Sequence, residues 1–196
     1  MSEATLALPA GPETRRSDAL TVTALVAGIA GVMVIFGLFA AYFEVRALAP
    51  VWPAKKVSLD NYLGTTLTIT MLMSSVTAEW AVQAMKIGNR RHALTALALT
   101  PGFGLAFLNL LWYLVAKVGF GPGSHAYGTL FYAFVGATVV NVVVGIGFLL
   151  VALLRTFGHQ VTPSNLSVTR AASGFWHFVS AAWLLTFVAL YVLQHR

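Results

Sequence analysis

The sequence predicts an all-α, polytopic membrane bundle, and its composition, its long apolar runs and their glycine content favour this fold class. Of the 196 residues, 58% are hydrophobic and 9% are charged, and the mean hydropathy is +0.80. These residues supply too little polar surface to coat a soluble domain of this size. The runs lack the period-2 alternation of a membrane β-barrel, so helices must satisfy their backbone groups in lipid.

Five apolar runs are long enough to cross a hydrocarbon core of about 30 Å, which takes roughly 20 helical residues. The later runs are joined by short loops, so we expect neighbouring helices to be antiparallel. Residues 1–18 are polar and contain Pro and Gly, which predicts a flexible N-terminal arm. A cleaved signal peptide is not expected, because the run after this arm is too long for one. The predicted transmembrane domain covers 19–196, with helices at about 19–45, 61–85, 93–116, 126–154 and 171–193.

Glycines are frequent inside these runs, which is typical of places where membrane helices approach one another closely. We therefore expect close helix contacts at Gly28, Gly31, Gly37, Gly102, Gly104, Gly136, Gly145 and Gly147.

The net charge of +6 comes mostly from basic residues between the apolar runs, where lipid headgroups and the positive-inside rule account for them. We therefore expect no nucleic-acid partner. Sorting Lys and Arg by side of the membrane favours a cytoplasmic N-terminus and an outside C-terminus in a bacterial-type plasma membrane. The cytoplasmic set is Arg15, Arg16, Lys86, Arg90, Arg91, Arg155 and Arg170, and the opposite set is Arg46, Lys55, Lys56, Lys117 and Arg196.

The residues that could perform chemistry are sparse. The chain has no Cys, which excludes thiolate metal sites, iron–sulfur clusters and cysteine catalysis. A bis-histidine haem or a metal centre needs several ligands at one depth, but only one of the five His lies well inside a run. We predict no catalytic, cofactor-binding or metal-binding residues. The histidines are His92, His125, His159, His177 and His195.

Glu79 is the only carboxylate within the second run, and an intramembrane acid is a functional candidate by default. It lies seven residues before Lys86, so its side chain can also reach toward the interface. A structural role and a proton or partner contact both remain open. Arg46 at the end of the first run is expected to face headgroups or a neighbouring loop.

Trp176, His177 and Trp183 form an aromatic stripe on the last helix. The two tryptophans are seven residues apart and so share one face. Such a stripe is typical of core packing or of an interfacial belt. We expect it to pack within the bundle or along a bound lipid.

Several motifs occur in a consistent order along the chain. They are the run from Phe36 to Phe43 with Arg46 and Trp52-Pro53, then Ser74-Ser75-Val76-Thr77 with Ala81, then Gly88-Asn89-Arg90-Arg91, then the run from Ala126 to Tyr132, and finally Trp176-His177-Phe178-Val179 with Trp183. With these motifs the sequence, from about residue 29 to its end, resembles subunit III of the haem-copper cytochrome c oxidases. The resemblance is to the short form, which has five helices and lacks the first two of the seven-helix version.

This resemblance implies a non-catalytic subunit of an aerobic respiratory oxidase. Such a subunit packs against the catalytic subunit I and other oxidase subunits, and haem and copper reside in that partner. The implied roles are stability and lipid binding of the catalytic core, with proton uptake as a further role. The candidate contacts to phospholipid or to other subunits are Arg46, Trp52, Glu79, Tyr127, Trp176, His177 and Trp183.

The chain departs from the family pattern at five positions where the family carries ionisable side chains. The family has Glu, Glu, a pair of His, and Asp where this sequence has Gly31, Leu114, Thr138 with Asn141, and Ser180. Each change favours a side chain that lipid or helix packing accepts more readily. The role in proton uptake is therefore less strongly implied than the structural role.

Two alternatives remain beside this interpretation. One is a subunit-III-like accessory protein of a nitric oxide reductase, and the other is a small multipass transporter. The transporter lacks support because paired intramembrane charges and interrupted helices are not evident. A haem b cytochrome is disfavoured by the scattered histidines.

Overall fold

The computed structural model describes residues 16–53, 57 and 59–193. These residues form five α-helices, and a π-helical turn continues the last of them. Residues 1–15 of the predicted arm lie outside the described residues, as do Lys55, Lys56, His195 and Arg196. The helices are α1 (Arg16–Leu48), α2 (Asn61–Lys86), α3 (Arg90–Lys117), α4 (Ala126–Phe157) and α5 (Ser167–Phe187), followed by the π-turn Val188–Val192.

Four of the helices, α1, α3, α4 and α5 with its π-turn, are long and apolar enough to cross a membrane. The predicted all-α, polytopic membrane bundle is thus confirmed. Helix α2 has 26 residues but is less apolar, because it is rich in Thr and Ser. Its hydroxyls donate back to carbonyls one turn earlier, as Thr68 does to Gly64 at 2.9 Å and Thr70 to Thr66 at 2.8 Å. These internal bonds lower the energy of placing the hydroxyls in lipid.

Polar residues outside the apolar runs define several helix starts. The Asp60 carboxylate accepts hydrogen bonds from the amides of Tyr62 and Leu63, so α2 begins at residue 61. The Asn89 side chain caps α3, which therefore begins at residue 90, three residues earlier than the apolar run indicates. The His125 ring accepts from the backbone amide of Gly128 at 2.7 Å and caps α4.

Helix α5 contacts α1, α4 and α2, while α3 packs between α2 and α4. Two arginines join the helix ends. At one end of the bundle, Arg46 Nη1 donates to the carbonyl of Leu193 at 2.7 Å. At the other end, Arg90 Nε donates to the carbonyl of Thr156 at 2.9 Å. These contacts place the ends of α1 and of the π-turn together, and the start of α3 beside the end of α4.

Aromatic side chains fill the centre of the bundle. Trp176 on α5 is fully buried and lies between Gly104 of α3 and Gly145 of α4. A Cβ atom added to either glycine would lie 2.8 Å from the indole. Two turns further along α5, the Trp183 ring packs edge to face on the Phe107 ring, with 4.9 Å between the ring centroids. The indole of Trp176 thus occupies the space that the two glycines leave.

The glycines of the apolar runs divide into two groups. Gly28, Gly31, Gly104 and Gly145 stand at close helix approaches, as expected. Among the described residues, no atom of a neighbouring segment comes within 4 Å of a Cβ built at Gly37, Gly102, Gly136 or Gly147. The expectation of a close helix contact is wrong for this second group, because these positions face open space.

Candidate functional site

The structure brings the seven candidate residues into two groups. The first is an end cluster, which contains Arg46, Trp52 and Tyr127. The second is the α2–α5 seam, which contains Glu79, Trp176, His177 and Trp183.

The end cluster joins α1 and α4 to the end of the last helix. Trp52 Nε1 donates to the hydroxyl of Tyr42 at 3.0 Å. The Trp52 ring meets the rings of Tyr42 and Tyr127 edge to face, with centroids 5.2 and 5.3 Å away. The Tyr127 hydroxyl in turn donates to the carbonyl of Leu190 at 3.2 Å. Every polar tip named here is satisfied by a neighbour, as buried Tyr and Trp require.

Arg46 completes this cluster through its bond to the carbonyl of Leu193. The last carbonyls of a helix have no partner within the helix and carry partial negative charge. A guanidinium from α1 therefore stabilises the end of the π-turn that follows α5. The end cluster therefore holds three segments together, which are the end of α1 with the residues that follow it, the start of α4, and the π-turn after α5.

The buried side of the α2–α5 seam consists of the two tryptophans and two hydroxyls. Trp176 Nε1 donates to Ser74 Oγ at 2.9 Å, and Trp183 Nε1 donates to Thr68 Oγ1 at 3.1 Å. Both indoles are buried. Interhelical hydrogen bonds between apolar helices are favourable because lipid offers no competing partner. This side of the seam fixes α5 against α2.

The outer side of the same seam is polar. His177 Nδ1 lies 2.6 Å from Ser75 Oγ, and its Nε2 lies 3.6 Å from Glu79 Oε2. The side chains of His177 and Glu79 are 43% and 48% exposed. The other Glu79 oxygen accepts from the amide of Gln83, and Lys86 Nζ donates to Gln83 Oε1 at 3.3 Å. We call Ser75, Glu79, Gln83, Lys86 and His177 the polar ladder.

His177 thus lies on the surface of the bundle, whereas its neighbour Trp176 lies in the interior. The Glu79 side chain extends toward Lys86, but the two are linked only through Gln83, which forms a hydrogen bond with each of them. The sequence analysis did not single out Ser75 and Gln83 as contact residues. Their spacing could have identified them, because residues 75, 79 and 83 recur every four positions and so share one helix face with Glu79.

The positions that depart from the family pattern are mostly apolar in their surroundings. Gly31 and Asn141 face each other beside a groove of about 440 Å³ between α1 and α4. Leu114 is buried, and Ser180 donates to the carbonyl of Trp176 at 3.0 Å. The buried hydroxyl of Thr138 has no hydrogen-bond partner within the described residues. The groove is lined mainly by Ala27, Ala30, Val34, Gly136, Ala137 and Val140.

The four described histidines do not converge. His92, His159 and His177 are exposed and His125 is half-buried. His92 lies near the start of α3, His125 precedes α4, His159 follows α4 and His177 lies within α5. Within residues 16–53, 57 and 59–193, no group of three or more His, Asp or Glu is placed to hold a metal ion.

The fold and the candidate site together define a polytopic helical membrane protein. Buried aromatic side chains fill its interior and donate hydrogen bonds to hydroxyl groups of neighbouring helices. The family described as cytochrome c oxidase subunit III matches residues 13–195. The chain belongs to the cytochrome c oxidase subunit III family. The resemblance inferred from the motifs is confirmed.

Relatives named cytochrome c oxidase subunit 3 give the same result. The protein from Paracentrotus lividus is 33% identical over 164 residues, which cover 80% of this chain and 62% of the relative. The protein from Gallus gallus is 34% identical over 163 residues, covering 79% and 62%. The protein from Scyliorhinus canicula is 32% identical over 171 residues, covering 83% and 65%. The chain therefore spans less than two thirds of the length of these relatives.

Proposed function

We propose that this chain is a non-catalytic subunit III of a respiratory haem-copper oxidase in aerobic electron transport. In this role it packs against the catalytic subunit I and other oxidase subunits and stabilises them. The observation that carries the proposal is the family match over residues 13–195. The packed interior supports a structural role, because the buried indoles of Trp176 and Trp183 fill the space between α5 and its neighbouring helices.

Haem and copper belong to the catalytic partner in this proposal. Of the described histidines only His177 lies well inside a helix, so no second histidine at its depth supplies the other axial ligand of a haem. No chemical step is assigned to this chain. Its contribution is to hold the partner's helices and the surrounding lipid in place.

The groove between α1 and α4 supports a role in lipid binding. It is about 440 Å³ in volume and its lining consists almost entirely of small apolar side chains. Acyl chains of a phospholipid pack well against such a surface. The family's ionisable residues are replaced at Gly31 and Asn141 beside this groove. We therefore favour stabilisation and lipid binding over proton uptake.

We place the chain in a bacterial-type plasma membrane, with its N-terminus cytoplasmic and its C-terminus outside. The end of the bundle that holds Lys86, Arg90 and Arg91 is then the cytoplasmic end. Three basic residues in one tight loop support this orientation, because such loops are retained on the cytoplasmic side.

Affinity purification of the tagged chain from the membranes of its native cells tests the proposal. We expect a haem-bearing catalytic subunit to co-purify in stoichiometric amount and the preparation to reduce O₂. Deletion of the chain should shorten the active lifetime of the oxidase during turnover. Recovery of a nitric oxide reductase would support the alternative accessory role. Recovery of the chain without any haem protein would contradict the proposed function.

A further inference from the structure

The cap at the start of α4 is a hydrogen bond that only an uncharged imidazole can accept. Nδ1 of His125 accepts from the backbone amide of Gly128 at 2.7 Å. A ring nitrogen accepts only while it carries no proton, so this bond places the proton of the neutral ring on Nε2. In the imidazolium ion both ring nitrogens are donors. Protonation of His125 therefore removes the cap.

The position of this ring at a helix start adds to the effect of a proton. The first amides of a helix have no partner within the helix and carry partial positive charge. A neutral ring satisfies one of these amides, whereas an imidazolium directs an N–H group at it and adds charge of the same sign. The protonated His125 ring is therefore driven away from its place over the first turn of α4.

The cap also lies where the loop between α3 and α4 folds back over α4. A Cβ at Gly128 would lie 2.9 Å from the carbonyl oxygen of Gly121 and 3.3 Å from Cε1 of His125. Thr129 Oγ1 donates to the carbonyl of Pro122 at 2.7 Å. Of these contacts between loop and helix, the one made by the imidazole is the contact that changes charge between pH 5 and 8.

The first turn of α4 connects the cap to the end cluster. The rings of His125 and Tyr127 have centroids 6.2 Å apart. The Tyr127 hydroxyl donates to the carbonyl of Leu190, and its ring packs on that of Trp52. Loss of the cap therefore loosens the residue through which α4 contacts the π-turn and the segment after α1.

The charged groups of the other helices at this end of the bundle have contacts of their own. Arg46 of α1 donates to the carbonyl that follows the π-turn, and Asp60 accepts from the first amides of α2. Lys117 at the end of α3 lies 4.5 Å above the ring of Tyr113. Glu44 is exposed. Carboxylates, Lys and Arg ordinarily keep their charge between pH 5 and 8, so the capping imidazole supplies the variable charge among these groups.

We infer that His125 is a pH-sensitive cap. At neutral and alkaline pH the uncharged ring closes the start of α4. Acidification of the compartment at this end of the bundle releases the ring and loosens the loop before α4 together with the end cluster. The inference goes beyond the proposed function, and only the identity of the compartment depends on the proposed orientation, which makes it the outside.

Unfolding of the purified chain in mixed micelles with increasing SDS, at pH 8 and at pH 5, tests the inference. The variants are His125→Asn, which supplies a favoured cap that does not titrate, and His125→Ala, which supplies none. The other histidines are present in every protein, so their titration cancels in a comparison. At pH 8 wild type and His125→Asn should unfold alike. At pH 5 the unfolding equilibrium constant of wild type should exceed that of His125→Asn by about 2- to 30-fold, the effect of a lost cap.

The alanine variant should show this loss at both pH values. A ratio between wild type and His125→Asn that is the same at pH 8 and pH 5 overturns the inference. Equal stability of His125→Ala and His125→Asn at both pH values overturns it as well, because residue 125 would then not cap α4. The proposed function stands in either case.

Nitrogen-15 NMR of the wild-type chain labelled at histidine tests the same point without a substitution. At pH 8 the ring of His125, assigned through its proximity to the Gly128 amide, should carry its proton on Nε2, with Nδ1 unprotonated. At pH 5 both nitrogens should be protonated and the Gly128 amide resonance should shift. A ring that carries its proton on Nδ1 at pH 8 overturns the inference.

Discussion

The contact between Gly145 and the indole of Trp176 makes a sharp prediction for Gly145→Ala. A Cβ at residue 145 would lie 2.8 and 2.9 Å from Cε3 and Cζ3 of Trp176, whereas carbon atoms in contact prefer about 3.5 to 4.0 Å. The indole is fully buried, so it cannot move outward without disturbing its neighbours. Gly104 of α3 packs against the same six-membered ring, where a Cβ would lie 2.8 Å from Cη2, and Ser74 accepts a hydrogen bond from the indole nitrogen.

The magnitude follows from comparing Gly145→Ala with Gly147→Ala in the same helix. Ala is more favourable than Gly inside a helix by about 1 kcal/mol, and this gain applies to both positions. At residue 147 no atom from another segment of the described chain lies within 4 Å of the new Cβ. At residue 145 overpacking costs about 1–3 kcal/mol. The difference in unfolding free energy between the two variants should therefore be about 1–3 kcal/mol, with Gly145→Ala the less stable.

Unfolding of the purified chain in mixed micelles with increasing SDS, followed by far-UV circular dichroism, measures this difference. A smaller ring relieves the overlap, so combining Gly145→Ala with Trp176→Phe should reduce its cost, a coupling of about 0.5–3 kcal/mol for residues in contact. Equal stability of Gly145→Ala and Gly147→Ala would refute the argument that the indole is wedged between α3 and α4.

Three further predictions concern the seam, the orientation and the cofactors. The bond between Trp183 and Thr68 should appear as a coupling of about 0.6 kcal/mol in unfolding free energy between Trp183→Phe and Thr68→Val in a double-mutant cycle; a coupling of zero would show that the bond contributes nothing. A Cys at Ile87, which is 80% exposed, should react with an impermeant maleimide only after the cells are opened, and a Cys at Gly123 should react in intact cells. The reverse pattern would contradict the orientation. The chain expressed alone should show no Soret band, because its described histidines do not converge; a stoichiometric b-type spectrum would contradict the non-redox assignment.

Much of this protein could be predicted from its sequence. Composition and the length of the apolar runs predict a helical membrane bundle, because only a closed set of backbone hydrogen bonds is stable in lipid. The family motifs, including Trp176-His177-Phe178-Val179, identify the relationship that the family match over residues 13–195 confirms. A helix can also extend beyond its apolar run where a polar side chain caps it, as Asn89 does at the start of α3.

The direction in which each side chain faces was decided by the tertiary structure. In water the apolar face of a helix marks its buried side, but lipid is as apolar as a protein core, so this signal is weak in a membrane helix. The sequence alone therefore shows that Trp176 and His177 are adjacent, but not that the first is buried and the second is exposed. Successive residues on a helix point about 100° apart. Only the packing of α5 against α2, α3 and α4 determines that the indole fills the interior while the imidazole meets Glu79 on the outer face.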